Sequence, residues 1–152
     1  MESNGIKEVA VIGSGQMGSG IAQVCATSGY KVVLFDVQES QVEKARQGIL
    51  KSCEKLVSKS RLTEEAFTFL KENLSFSHEL SSIKESDLII EAITENEEKK
   101  SALFSQLGGV VKEKAIFSSN TSSISIAKLA MGSGRKNRFI GLHFMNPVPL
   151  MK

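Results

Sequence analysis

The sequence predicts an α/β fold built on a doubly wound, mainly parallel sheet, and three observations carry that expectation. Short β-branched runs alternate with amphipathic stretches along the whole chain. The first run, turn, periodic segment and second run together span the ~30 residues of a βαβ unit. The apolar runs VAVI, LII and AIF also lack a polar face, as strands covered by helices on both sides must.

Residues 7 to 12 (KEVAVI) form the first predicted strand, which breaks at glycines. Met17 to Thr27 follows as a helix with small residues on one face, and Lys31 to Asp36 (KVVLFD) as a second strand. A right-handed crossover makes these two strands parallel neighbours. Glu39 to about Ser58 reads as a long amphipathic helix, and Thr63, with Glu64 and Glu65 behind it, opens another to about Asn73. That helical pair is an insertion after the second strand, longer than a plain crossover requires. Strands are then expected at Leu74 to Ser77, Asp87 to Ile93, Ala115 to Ser119 and Arg138 to Phe144, with helices at Glu97 to Val111 and Ser123 to Ala130. The sequence contains no repeat, low-complexity tract or linker. Residues 1 to 152 are therefore read as one domain, long enough to bury roughly 70% of its unfolded surface.

The chain is 41% apolar and 24% charged, with a formal charge of +2 and no long basic tract. One Tyr, eight Phe and no Trp offer few stacking platforms, so a nucleic-acid partner is not expected. Cys25 and Cys53 fall inside predicted helices without metal-ligand spacing and read as reduced packing residues. No run approaches the ~20 apolar residues of a bilayer span, and Met1 to Gly5 resembles neither a secretory h-region nor an Arg-rich transit peptide. No membrane partner is expected, and the cytosol is the default compartment, with mitochondrial or peroxisomal residence compatible.

Gly13-Ser14-Gly15-Gln16-Met17-Gly18 follows a predicted strand, opens a predicted helix and precedes an acidic residue, Asp36, by about twenty positions. The context matters because a G-x-G-x-x-G string alone arises readily in glycine-containing loops. Gly13 allows the tight turn, Gly15 lets the backbone approach a pyrophosphate, and Gly18 lets the helix lie close to the strand. The helix N-terminus supplies amide donors to phosphate. Asp36 suits a ribose diol and repels a ribose phosphate, and Val37 and Gln38 bring no Arg to clamp one, so NAD is expected over NADP. The other reading of Asp36 is a strand-end turn residue or helix cap.

A second constellation lies near the end of the sequence. Ser118-Ser119-Asn120-Thr121-Ser122-Ser123 follows one predicted strand, and Gly141-Leu142-His143-Phe144-Met145-Asn146-Pro147 follows the next. Both fall at carboxyl ends of strands, where open α/β sheets bind ligands. An imidazole, which titrates near neutrality, can take a proton from an alcohol while hydride leaves the same carbon for a nicotinamide ring. His143 could instead be a core histidine satisfied by a carbonyl, and Ser122 could serve an ST-turn or helix cap. His78, beside the turn after a short strand, reads as surface structure.

With GSGQMGSGIAQ, IIEAITEN and HFMNPVPLMK, the chain closely resembles the NAD-binding domain of L-3-hydroxyacyl-CoA dehydrogenases over essentially its whole length. Related 3-hydroxyisobutyrate and 6-phosphogluconate dehydrogenases share the glycine turn but use a catalytic Lys in a later helix, whereas the HF-x-NP-x-P segment is intact here. The resemblance implies a Rossmann-type sheet, NAD as cofactor, and interconversion of an L-3-hydroxyacyl-CoA with its 3-ketoacyl-CoA. Carried over by position, it implies that His143 is the general base and that Ser122 hydrogen-bonds the reacting oxygen. It places Asn146 near the nicotinamide, Glu95 and Lys100 at cofactor contacts, and Ala92 in the same pocket through its backbone. Ser52 and Lys59 match positions that touch CoA, and a Lys near a helix tip can meet its phosphates. The alternative for those two is a solvated helix face.

The resemblance also implies elements beyond Lys152: a glutamate about a dozen residues after the histidine that orients it, and a helical C-terminal domain. In the family that domain closes over the acyl chain and forms the dimer interface, so a homodimer is expected only of the full-length enzyme. In serine proteases, loss of the analogous orienting acid costs ~10⁴ in turnover. The chain by itself is therefore expected to bind cofactor with poor or no turnover. The other reading is a stand-alone NAD-binding module or subunit.

Overall fold

A computed structural model describes residues 5–151, so the first four residues of the leader and Lys152 lie outside the described residues. Six strands form one sheet in the order β3-β2-β1-β4-β5-β6. They are β1 (Glu8–Ile12), β2 (Lys31–Phe35), β3 (Leu74–Ser77), β4 (Leu88–Glu91), β5 (Ile116–Ser119) and β6 (Phe139–Gly141). Every pairing is parallel, so the sheet is wholly rather than mainly parallel among the described residues. The helices are α1 (Gln16–Thr27), α2 (Glu39–Ser58), α3 (Glu64–Asn73), α4 (Glu97–Gly108) and α5 (Ile126–Gly132).

The period-two geometry of β1 shows why both faces must be apolar. Val9 and Val11 point into a core shared with Ile21 and Ala22 of α1, Ile49 and Cys53 of α2, and Leu70 of α3. Ala10 and Ile12 point the other way, into a core with Phe104 and Leu107 of α4 and Leu129 of α5. There Phe104 stacks edge-on against Phe139 with ring centroids 4.6 Å apart and tilts against Phe117 at 5.6 Å. The inserted helical pair uses the same rule: Val42, Ala45, Ile49 and Cys53 recur at helical spacing along α2 and are its buried residues. Burial pushes the Cys25 thiol up to about 11; burial and neighbouring Glu54 do the same to Cys53. Both thiols stay protonated, in keeping with packing roles.

The opposite end of the sheet is fastened by Asp87. Its Oδ2 accepts from the backbone N–H groups of Lys7 and Glu8 at 2.8 and 2.9 Å, and Lys112 Nζ donates to Oδ1 at 2.6 Å. Partial burial works against the charge, yet Lys112 and the two amides outweigh it and hold this carboxyl down at about 2.

Several predicted strands run longer than the observed ladders. β4 ends at Glu91 rather than Ile93, and β6 covers Phe139–Gly141 rather than Arg138 to Phe144. The first of β5's expected residues, Ala115, and the last of β2's, Asp36, also lie outside the strands. The apolar sequence continues past each ladder because Ile93, Leu142 and Phe144 still pack on the core while the backbone peels away. α5 starts at Ile126 rather than Ser123, because Ser125 takes the cap and its Oγ accepts from Lys128 N. Short 3-10 turns at Leu80–Ile83, Lys136–Arg138 and Val148–Leu150 were not expected. The last seats buried Val148 on the α1 face of the core.

A cofactor cleft at the strand switch point

The strand order reverses beside β1: the chain first moves outward through β2 and β3, then returns to β4 on the other side. Loops leaving β1 and β4 must therefore diverge and open a crevice at their carboxyl ends. The glycine turn lies there. Gly13 has φ +101°, and a Cβ on it would come within 2.6 Å of the Ala92 carbonyl oxygen. A Cβ on Gly18 would sit 1.6 Å from the Gly13 carbonyl oxygen, whereas one on Gly15 would meet nothing within 4 Å. Two of the three positions are thus closed by backbone, and the middle one is open. The N-cap of α1 is Gly15 with no side-chain hydrogen bond, and its first turn carries no acidic residue, unlike α3 and α4, which begin with side-chain caps and glutamates. That leaves its amide donors available to an anion. Gly18→Ala is expected to force α1 off β1, lower the melting temperature by about 4–8 °C and abolish NADH binding. Circular-dichroism melting and an NADH titration check it.

Beside the turn, Gly13, Ser14, Gly15, Asp36, Val37 and Gln38 line a cavity of about 690 Å³ that also reaches α4. Asp36 Oδ2 accepts from Ser14 N at 3.0 Å and from Ser14 Oγ at 2.8 Å, and Oδ1 from Gln38 N at 3.1 Å. Asp36 therefore performs the turn role while also lining the cavity.

A second cavity, of about 510 Å³, gathers Met17, Ala92, Glu95, Lys100, Ser122, His143 and Asn146 from five separate segments. Gln16 lies instead on the neighbouring groove of about 460 Å³, with Ser14, Ser52 and Asn146. Thr121 Oγ1 accepts from the N–H groups of Ser123 and Ile124, and Ser125 caps α5. Neither the turn nor the cap is left for Ser122, whose exposed hydroxyl makes only a long 3.4 Å bond to Glu95 Oε2. Glu95 also accepts from Thr121 Oγ1 at 2.6 Å and Ser122 N at 3.2 Å. Partial burial opposes its charge, but these donors and nearby Lys100 hold its carboxyl below the usual range.

Two residues in this region were missed from sequence. Glu91, fully buried at the end of β4, takes Lys100 Nζ at 2.6 and 2.8 Å, Ser119 Oγ at 2.6 Å and Ile93 N at 2.8 Å. Lys100 is itself only 1% exposed, so its ammonium is held under the cavity, with Glu95 Oε1 at 3.8 Å. Asn120 bridges the two site loops: its N–H donates to Glu91 O and its Oδ1 accepts from Phe144 N at 2.7 Å, fixing the backbone next to His143. His143 is exposed, and no described side chain hydrogen-bonds its ring. His78 is exposed, as expected.

Ser52 and Lys59 come together on a cleft of about 260 Å³ with Lys55, Arg61, Pro147 and Pro149. Ser52, Lys55 and Lys59 recur at three and four residues, one face of a helix, a spacing that could have exposed Lys55 in the sequence. The cleft is cationic and reaches Pro147 and Pro149, neighbours of Asn146 and lining residues of the 460 Å³ groove.

The family model described as 3-hydroxyacyl-CoA dehydrogenase, NAD binding domain, matches residues 8–152. The chain belongs to this family. It is 49% identical over 142 residues to a probable 3-hydroxybutyryl-CoA dehydrogenase of Deinococcus radiodurans, covering 93% of the chain and 51% of that protein. It is also 44% identical to the mitochondrial hydroxyacyl-coenzyme A dehydrogenase of Sus scrofa, covering 97% and 49%. The crystal structure of (S)-3-hydroxybutyryl-CoA dehydrogenase from Ralstonia eutropha superposes with a TM-score of 0.91 at 42% identity, over 96% of this chain and 52% of the other. The chain spans about half the length of the curated relatives it matches. The fold is the Rossmann type, and the family's cofactor is NAD. No described helix is long and apolar enough to cross a membrane.

Proposed function

We propose that this chain is a single NAD-binding domain of a 3-hydroxyacyl-CoA dehydrogenase, and that its 152 residues hold the cofactor and the general base of the reaction. The observation that carries the reading is the pair of adjoining cavities: the glycine turn and Asp36 line one, Ser122 and His143 the other, and Ala92 lines both. In this assignment Gly13, Ser14, Gly15, Gln16, Met17 and Gly18 form the pyrophosphate seat, and Asp36 receives the adenosine ribose. Ala92, Glu95, Lys100 and Asn146 border the nicotinamide end, with Glu91 and Lys100 bracing its floor. Bound NAD would supply the hydride acceptor for the carbon that bears the substrate hydroxyl. His143 takes the hydroxyl proton, and Ser122 Oγ, whose bond to Glu95 is long enough to give up, hydrogen-bonds the same oxygen. Ser52 and Lys59, with Lys55 and Arg61, present the cationic cleft to the CoA phosphates. The substrate class is an acyl-CoA, without nucleic-acid or membrane partners; a homodimer is assigned to the full-length enzyme only, and the compartment to the cytosol.

With no hydrogen-bond partner for its ring among the described residues, His143 favours a chain that binds cofactor better than it turns over substrate. Fluorescence titration of the 152-residue chain should give saturable NADH binding, weaker NADPH binding, and at least a tenfold loss of NADH affinity in Asp36→Ala. Acetoacetyl-CoA-dependent NADH oxidation should be slow or undetectable. No NADH binding at millimolar cofactor, or equal affinity for NADH and NADPH, would overturn the reading.

A further inference from the structure

We propose that Ser14 is a second determinant of cofactor selectivity, acting through Asp36. Its hydroxyl locks the Asp36 carboxylate in the one orientation that accepts a ribose diol and rejects a ribose phosphate. The inference rests on the NAD-binding reading above and deepens it.

Ser14 is the first non-glycine residue inside the glycine turn, and it is 6% exposed. Its backbone N–H and its Oγ both donate to the same carboxylate oxygen, Asp36 Oδ2, at 3.0 and 2.8 Å, while Gln38 N donates to Oδ1 at 3.1 Å. A carboxylate offers about four acceptor positions, and three of these are filled by the chain itself. The position left is on Oδ1. Rotation of the carboxylate would break three hydrogen bonds, two of them from the phosphate-binding turn, so the negative charge is fixed at the wall of the 690 Å³ cavity that Ser14 also lines.

The donation by Ser14 has a second consequence. A hydroxyl that spends its proton on a carboxylate keeps its lone pairs, so Ser14 Oγ and Asp36 Oδ1 together present acceptors and no donor. A vicinal diol carries two protons to satisfy them. A ribose phosphate keeps only one of those protons, and its charged phosphate meets the fixed charge of Asp36. To donate to a phosphate instead, Ser14 would have to abandon a charge-assisted bond, and with it the hold on Asp36. The competing explanation is that Ser14 merely satisfies a buried hydroxyl, as buried polar groups generally do.

The two explanations separate in a double-mutant cycle on the 152-residue chain, titrated with NADH and with NADPH by nicotinamide fluorescence. Ser14→Ala is expected to weaken NADH binding about tenfold and to shrink the NADH-over-NADPH preference by a similar factor. In an Asp36→Ala background the same substitution should change the preference less than twofold, because nothing remains for the hydroxyl to lock. Ser14→Gly, which keeps the turn's backbone, should repeat the result if Ser14→Ala fails to fold. Unchanged preference in Ser14→Ala or Ser14→Gly, or an equal change in both backgrounds, overturns this inference while leaving NAD binding intact. Absence of NADH binding by the unaltered chain overturns both.

Discussion

Glu91→Ala is expected to lower the free energy of unfolding by about 3–5 kcal/mol, a large share of the ~5–15 kcal/mol that holds a domain together. The carboxylate is fully buried and receives four hydrogen bonds, two from Lys100 Nζ and one each from Ser119 Oγ and Ile93 N. Its removal strands an ammonium that is 1% exposed, with Glu95 Oε1 at 3.8 Å the nearest remaining countercharge. Lys100 can then draw Glu95 away from Thr121 and Ser122, which disturbs the wall of the 510 Å³ cavity. The cost lies in the unpaired charge rather than in the lost attraction, because a buried pair repays little beyond its own desolvation. Glu91→Leu combined with Lys100→Met removes both charges at similar volume and should recover most of the stability. Urea denaturation followed by circular dichroism decides the matter. A Glu91→Ala variant within 1 kcal/mol of the parent, or a double variant as unstable as the single, would show that the pair is not what braces this end of the sheet.

Glu91 also marks where sequence reasoning reaches its limit. The glycine turn was legible because its demands are local: a positive φ at Gly13, contact of Gly18 with the Gly13 carbonyl, and an acid one strand later are written into a short stretch of chain. The helical pair was legible for the same reason, since α2 carries its buried stripe at fixed spacing and Thr63 caps α3. Glu91 depends on partners nine and 28 residues away, one on a helix and one on the next strand. A lone glutamate inside LIIEAI did signal that a buried charge needed a partner, but nothing local said which lysine. Asn120 gave no signal at all, because its work is a tertiary bond to Phe144 N. Strand ends were overrun where apolar side chains stay in the core after the ladder stops, and those departures are the loops that carry the site.

The second large effect concerns His143. In a chimera that joins this chain to the second half of the Deinococcus radiodurans relative, His143→Ala is expected to slow acetoacetyl-CoA reduction by about 10²–10⁴, the range of positioned acid–base groups. NADH affinity should stay within about threefold, since the glycine turn and Asp36 line a cavity that His143 does not border. The split matters because His143 stands in the loop that Asn120 pins through Phe144 N, so a purely structural role would loosen the neighbouring Asn146 and weaken cofactor binding as well. His143→Gln sharpens the distinction. The amide can fill the ring's place and hydrogen-bond the substrate oxygen, yet it cannot carry the proton, so it should be nearly as slow as the alanine variant. Steady-state kinetics with both variants would reject proton transfer through His143 if either retained normal turnover, and would reject the division between base and cofactor seat if turnover and NADH affinity fell together.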